Sequence, residues 1–249
     1  MVANALSRYL TEDHPSTVGI GHVRYSTHGT NKLENAQPIV VACSKGEIAL
    51  AHNGNISNSE ELTAGFGPIL ALAPAANWLG KTWPLERFSR VAMRLLDPEG
   101  PMKGGRLMVL GGPEDAKLAR ELKDVVMRNQ FINLTQDTDL LTAYACLKRA
   151  RLFIGNDSGT MHLAAAAGIP TLGLFGPSDE QLYGPWGANT RVARGPRTYE
   201  QIRAVDPSFG QALCHMMDLS VETVSAAAEE LLAATEETRK PAMAEAPDA

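Results

Sequence analysis

The sequence lacks the features that mark membrane-spanning, nucleic-acid-binding and disulfide-stabilised proteins. No apolar run approaches the roughly 18 residues that span a bilayer. Acidic residues outnumber basic ones by 28 to 23, which argues against a basic nucleic-acid-binding face. The three cysteines, Cys43, Cys146 and Cys214, are widely spaced and form no CxxC pair, so neither a zinc site nor a disulfide framework is expected. The start of the chain carries no signal-peptide pattern. We therefore expect a protein of the reducing cytoplasm.

Two common nucleotide-binding signatures are also missing. No GxxxxGK[ST] motif occurs, and no GxGxxG motif follows a predicted strand, so P-loop and dinucleotide-redox functions lose support. No cluster of histidine, cysteine or carboxylate residues indicates a metal site, and no cofactor is expected. The 249 residues allow one large domain or two modest ones.

The larger part of the chain alternates short apolar runs with segments of helical periodicity. Predicted strands cover 69–74, 106–112, 131–135, 151–156 and 170–176, and predicted helices cover 84–96, 113–126, 137–150, 158–168 and 218–234. Either Asp218 or Ser220 is expected to cap the last helix. Alternation at this spacing is typical of an α/β fold, a Rossmann-like parallel sheet with helices on both faces.

The N-terminal part has a different pattern. Strand-like runs at 38–43 and 47–52 flank "SKG" and predict a hairpin, with a further strand at 17–25 and short helices at 3–10 and 58–62. The Gly- and Pro-punctuated stretch "TAGFGP" follows, and we place a domain boundary there. The predicted division is an α+β fragment over 1–64, the parallel-sheet domain over 65–236 and a disordered tail over 237–249.

Two strand ends of the predicted sheet carry polar residues suited to an anion. The loop "PAANWLGKTWP" contains Lys81, whose ammonium group can reach a phosphate oxygen. The segment "GNDSGTMH" ends a strand at Asp157, turns at Ser158 and Gly159, and begins a helix whose free N–H groups favour a diphosphate. His162 lies one turn inside that helix. Ligands of open α/β sheets bind at this edge, beyond the carboxyl ends of the strands.

Each of these residues also has a structural interpretation. A loop lysine such as Lys81 is most often solvated, and Asp157 is equally suited to a plain N-cap. His162, on an alanine-rich helix, is as readily a hydrogen-bonded core residue as a ligand contact. Glu114, in "GGPEDA", is typical of a first-turn carboxylate that interacts with a helix dipole.

Residues 69–203 resemble the C-terminal half of family 9 glycosyltransferases, the ADP-heptose:lipopolysaccharide heptosyltransferases. The resemblance rests on "APAANWLGKTWP", "VLGGPED", "DLLTAYACLKRARLFIGNDSGTMHLAAAAGIPTLGLFGPSD" and "YGPWG" in this order. It implies that Lys81 neutralises donor phosphate and that Asp157 binds sugar hydroxyls. By the same resemblance, Ser158 and Gly159 present their backbone to the diphosphate, and His162 contacts phosphate or heptose.

The resemblance also implies what lies around these residues. Asn77 would line the phosphate site, and Leu134 and Thr135 would flank the adenine. Members of the family pair this donor half with an acceptor-binding half that holds the proposed general base, and nothing before residue 69 resembles such a half. We therefore expect binding of an ADP-sugar, with transfer absent unless another chain supplies the acceptor domain. Peripheral contact with the inner membrane is an alternative to a purely cytoplasmic location.

A second resemblance covers residues 17–62. The stretches "GIGHVRYSTHGTNKLENAQP" and "GEIALAHNGNISNSEEL" resemble the class II glutamine amidotransferase domain of amidophosphoribosyltransferase. It implies that Arg24 grips the glutamine carboxylate and that Asn53 and Gly54 form an oxyanion hole. The family's nucleophile is an N-terminal cysteine, whereas the first cysteine here is Cys43, within a predicted strand. We expect a remnant without glutaminase activity. Three functions stay open: a heptosyltransferase-like enzyme, a non-catalytic ADP-sugar-binding module and this amidotransferase remnant.

Overall fold

The computed structural model describes residues 39–43, 46–50, 63, 65, 67–135, 138–209 and 213–239, with side chains from 63 to 236. The chain divides into two compact units, Met1–Asn55 and Ile56–Ala249. The predicted domain limits at 64 and 236 stay a prediction.

The described part of the first unit is a hairpin. Strands β1 (Ile39–Cys43) and β2 (Gly46–Leu50) pair antiparallel, with Ile39 opposite Leu50 and Cys43 opposite Gly46. This confirms the hairpin that the "SKG" turn predicts. The predicted strand at 17–25, the predicted helices at 3–10 and 58–62, and the last ten positions of the predicted tail lie outside the described residues.

The second unit is built on a sheet of six parallel strands in the order β5-β4-β3-β6-β7-β8. The strands are β3 (Ile69–Ala73), β4 (Arg106–Leu110), β5 (Phe131–Leu134), β6 (Leu152–Asn156), β7 (Thr171–Phe175) and β8 (Thr190–Arg194). All residues of β3, β4, β6 and β7 are buried, as expected for continuous apolar strands covered on both faces. The predicted Rossmann-like fold of this unit is confirmed.

Helices cover both faces of this sheet. The helices described in this unit are α1 (Leu85–Leu96), α2 (Ala116–Leu122), α3 (Leu140–Leu147), α4 (Gly159–Ala166), α5 (Glu180–Tyr183), α6 (Tyr199–Val205) and α7 (Val221–Arg239). Side chains of α1, α2 and α7 share one buried cluster with Leu70 and Leu72 of β3. Side chains of α3 and α4 share a second cluster with the alternate residues Ala71 and Ala73. The period-2 alternation of a strand therefore separates two cores. None of the helices described is both long and apolar enough to cross a membrane.

The helix ends depart from the sequence prediction in instructive ways. The helix predicted over 113–126 is α2 alone, with single 3-10 turns at Pro113–Asp115 and Lys123–Val125. At the last helix, Ser220 is the cap, because its Oγ accepts a hydrogen bond from the Thr223 amide at 3.0 Å. Asp218 is not the cap but pairs with Arg197. The sequence patterns did not predict β8, α5 or α6.

The order of the strands decides where the loops meet. β3 and β6 are neighbours, with Ala73 opposite Gly155 in parallel register. The segments that follow these two strands therefore leave the sheet side by side at its carboxyl edge. β7 lies on the other side of β6, so the segment after Phe175 leaves the sheet beside them.

The reactivity of the Cys146 thiol provides a test of the packing of the second core. It is fully buried on α3, and burial raises the pKa of its thiol to about 11, although nearby Arg149 opposes the shift. The thiolate is the reactive form of cysteine, so a raised pKa slows alkylation at pH 8. We expect iodoacetamide, followed by peptide mass spectrometry, to modify the partly exposed Cys214 well before Cys146. Equal labelling rates in the folded protein would contradict the packing described here.

Candidate functional site

An ion pair joins the segments that follow β3 and β6. Lys81 lies in a 3-10 turn, Leu79–Lys81, within the loop from β3 to α1. Its Nζ donates to Asp157 Oδ2 at 3.1 Å, and the two side chains are 17% and 10% exposed. The register of the two strands therefore brings together Lys81 and Asp157, the two charged residues that the sequence analysis predicted at the anion site. A pair this well shielded is screened by salt far less than a surface pair.

Asp157 is held by a second hydrogen bond from a third loop. Ser178, after β7, donates through Oγ to the same Asp157 Oδ2 at 2.7 Å. The plain N-cap interpretation of Asp157 is wrong, because the N-cap of α4 is Ser158. Asp157 Oδ1 accepts no hydrogen bond from the described residues. One carboxylate oxygen is thus fixed by the protein while the other keeps its acceptor capacity.

Arg194, at the end of β8, fixes the loop that carries Ser178. Its guanidinium donates to the carbonyl oxygens of Gly176 and Ser178 and forms an ion pair with Glu180. Burial alone would raise the pKa of Glu180, but the hydrogen bond and positive charge of Arg194, together with a backbone hydrogen bond, hold the pKa below its ordinary value. The bidentate geometry of arginine fastens several groups of one loop at once. Arg194 therefore orients Asp157 through Ser178.

The beginning of α4 lies next to this carboxylate. The first amides of a helix have no partner within the helix and attract anions. Gly159 is exposed, and a Cβ built on it would meet no atom within 4 Å. The Ser158 Oγ is buried and has no hydrogen-bond partner among the described residues. An anion can therefore approach the amides of the first turn of α4 without steric hindrance at Gly159.

His162 lies one turn further along α4. Burial lowers the pKa of its imidazole below the ordinary 6.5, with Asp157 opposing the shift and Lys81 adding to it. Its ring makes no hydrogen bond to any described residue, so the interpretation as a hydrogen-bonded core histidine is not supported. At neutral pH the ring is uncharged and offers one N–H donor near the ion pair.

The remaining predicted contacts lie along the same edge of the sheet. Asn77 is exposed in the Lys81 loop. Leu134 and Thr135 are buried at the end of β5, with β4 between them and β3. The Thr135 hydroxyl donates to Asn133 Oδ1 at 2.8 Å. These positions therefore lie two strands from β3, which leads to Lys81, a spacing of about 10 Å for strands 4.8 Å apart, and three strands from β6.

Three residues that contact the candidate site were missed by sequence reasoning: Asn156, Ser178 and Arg194. Asn156 is fully buried. Its side-chain amide accepts from the Trp83 N–H and donates to the Pro74 carbonyl oxygen. A usable signal existed only for Ser178, in the quoted "FGPSD" after a buried strand. The predicted glutamine-site residues Arg24, Asn53 and Gly54 lie outside the described residues. In the described part of the chain, no group of three or more His, Cys, Asp or Glu residues could hold a metal ion.

Comparison with known proteins decides the family. Residues 35–209 match glycosyltransferase family 9 (heptosyltransferase) over most of the second unit. The chain belongs to glycosyltransferase family 9. Lipopolysaccharide heptosyltransferase 2 of Escherichia coli is 29% identical over 170 residues, which cover 67% of this chain and 46% of that protein. The chain thus spans about half the length of this family 9 relative.

Solved structures of family 9 proteins share the fold. ADP-heptose lipopolysaccharide heptosyltransferase II of E. coli superposes with a TM-score of 0.60 at 22% identity, covering 76% of this chain and 54% of that one. An E. coli heptosyltransferase with ADP gives a TM-score of 0.52 at 23% identity, covering 66% and 44%. These likenesses establish the architecture of the sheet domain.

A short segment matches a different family. Amidophosphoribosyltransferase of Methanocaldococcus jannaschii is 62% identical over 45 residues, which are 18% of this chain and 10% of that protein. Both predicted resemblances are therefore confirmed, and the one to family 9 covers far more of the chain.

The lowered pKa of His162 predicts how stability changes with pH. Between the folded-state pKa and 6.5, the unfolded chain binds a proton that the folded chain does not, so the free energy of unfolding rises with pH. We expect His162→Gln to remove this contribution and to show a flatter pH dependence than the wild type as the pH falls below 6.5. Urea denaturation at several pH values measures the difference. A variant with the wild-type slope would contradict the assigned environment of His162.

Proposed function

We propose that this family 9 domain binds the diphosphate of an ADP-sugar, ADP-heptose in the first instance, at the carboxyl edge of its sheet. The observation that carries the proposal is the Lys81–Asp157 ion pair beside the unhindered beginning of α4. Cation, helix amides and a carboxylate with a free oxygen lie together there. These are the groups that a phosphate linked to a polyhydroxylated sugar requires.

The roles of the residues follow from their charge. Lys81 and the first amides of α4 stabilise the diphosphate, and they do so more strongly as negative charge develops on the leaving ADP. Asp157 cannot bind a phosphate oxygen, because both would be negative, so its Oδ1 accepts from a sugar hydroxyl instead. Neutral His162 donates to phosphate or sugar without altering the net charge of the site.

Two further observations support ADP as the ligand and its proposed orientation along the carboxyl edge of the sheet. The E. coli heptosyltransferase of the same fold is a complex with ADP. In this chain Leu134 and Thr135 line the same edge two strands from Lys81, which suits an adenine bound at the end of β5. The ADP would then run from β5 toward β6, with the sugar next to Asp157.

Transfer of the sugar requires more than a donor site. An acceptor hydroxyl must lie in line with the anomeric carbon, usually next to a base that takes its proton. We propose that an acceptor-binding domain facing the carboxyl edge supplies both, in the cytoplasm where the nucleotide sugar is available. Lipopolysaccharide core synthesis is the pathway that membership of this family suggests.

Removal of the Lys81 charge provides the first test. We expect Lys81→Gln, which keeps a hydrogen-bond donor toward Asp157, to weaken ADP binding about tenfold and to reduce its salt dependence. Isothermal titration calorimetry measures both effects. Lys103→Ala is the matched control, because Lys103 is exposed just before β4, at the opposite edge of the sheet. Equal affinities for the wild type and Lys81→Gln would contradict the proposal.

Gly159 provides a steric test that leaves the fold intact. A methyl group at this position meets no protein atom, and alanine favours the helix more than glycine does. We therefore expect Gly159→Ala to melt at the wild-type temperature or slightly above it, yet to bind ADP about tenfold more weakly because the methyl group occupies the phosphate approach. Unchanged affinity, measured by the same calorimetry, would place the diphosphate elsewhere.

A glutamine titration separates the second candidate, which the amidophosphoribosyltransferase match favours. Under the donor-site proposal, glutamine produces no heat of binding. Glutamine binding that disappears in Arg24→Ala, together with no ADP binding, would instead favour the amidotransferase remnant.

A further inference from the structure

The loop that carries Lys81 is closed at its base by one buried side chain. Asn156 Nδ2 donates to the Pro74 carbonyl oxygen at 2.7 Å, and Asn156 Oδ1 accepts from the Trp83 amide at 3.0 Å. Pro74 follows β3 directly and Trp83 directly precedes the N-cap of α1, so the two bonds join the beginning and the end of the loop. All three residues are buried.

The middle and the end of the loop are also held by a different segment. The His215 amide donates to the Gly80 carbonyl oxygen at 2.9 Å, and the Trp83 indole donates to the Leu219 carbonyl oxygen at 2.9 Å. These contacts tie the loop to the segment before α7, not to the strands of the site. They hold the loop through a second segment, whereas the Asn156 bonds connect it directly to β6 and so bear on its distance from the beginning of α4.

Asn156 is placed to set that distance. Asn156 is the last residue of β6, and Asp157 follows it directly. The loop and the carboxylate are therefore both attached to the same strand end. A buried amide with donor and acceptor both satisfied has one favourable orientation, since a flip would leave two mismatched pairs. The position of Pro74 and Trp83 relative to β6 is thereby fixed, and with it the turn that bears Lys81.

We infer that Asn156 is a positioning residue that holds the Lys81 ammonium at the phosphate-binding position. The inference rests on the proposed donor site and adds a residue that does not itself touch the ligand. Its loss would leave the Trp83 N–H and the Pro74 carbonyl without partners and would free the base of the loop. Lys81 would then need to be ordered at the moment of binding, at the expense of affinity.

A double-mutant cycle with ADP tests this role. We expect Asn156→Ala to raise the Kd for ADP about fivefold to tenfold, because the lysine is no longer preorganised. In a Lys81→Gln background the same substitution should change the Kd by less than about twofold, because residues acting through one group are not additive. Measurements are made at a temperature at which circular dichroism shows each variant to be folded.

The control separates positioning from general loss of stability. Leu231→Ala also removes a buried side chain, but on α7. The next residue, Leu232, accepts a hydrogen bond from Arg151, which precedes β6 at the opposite edge of the sheet. This substitution should lower the melting temperature and leave the Kd unchanged. Should Asn156→Ala fail to fold, Asn156→Ser, which keeps a hydroxyl in the same place, takes its position in the cycle.

The outcomes separate this inference from the function on which it rests. Wild-type protein that binds no ADP overturns the proposed function. Wild-type binding with an unchanged Kd in the Asn156 variant overturns the positioning role alone. Full additivity with Lys81→Gln also overturns it, since Asn156 would then act independently of the lysine.

Discussion

The parallel pairing of β3 with β6 is the constraint on which the rest of the site depends. Ala73 stands opposite Gly155, so the loop after one strand and the helix after the other begin side by side. The Lys81 ammonium and the Asp157 carboxylate then meet at 3.1 Å in a partly buried position. Desolvation makes such a pair costly unless further hydrogen bonds complete it. Ser178 supplies one, and Arg194 holds Ser178 in place.

The residues of the site lie on three loops, and hydrogen bonds from strand ends fix the positions of two of these loops. Asn156 joins the two ends of the β3–α1 loop through hydrogen bonds, and Arg194 donates to carbonyl oxygens of the loop after β7. Both side chains act at strand ends, where the packed sheet fixes their backbone. The groups that remain for a ligand are Asp157 Oδ1 and the first amides of α4. Preorganised donors of this kind bind a charged group without a reorganisation cost at the time of binding.

Sequence patterns predicted the parts of this structure that depend on long apolar runs. Continuous burial of β3, β4, β6 and β7 produces recognisable strands, and the rule that ligands bind at carboxyl edges assigns Lys81 and Asp157 to one side of the sheet. β8 was missed because only Ala193 of its five residues is buried, so no apolar run marks it. Asn156 was missed because its role depends on backbone groups far away in sequence. Local pattern cannot reveal such tertiary partners.

A crystal structure of the chain with ADP would test the central claim most directly. The account predicts a phosphate oxygen within about 3 Å of both the Lys81 Nζ and a first-turn amide of α4, with Asp157 still bonded to Ser178. ADP bound at another edge of the sheet, with Lys81 making no contact to phosphate, would contradict it.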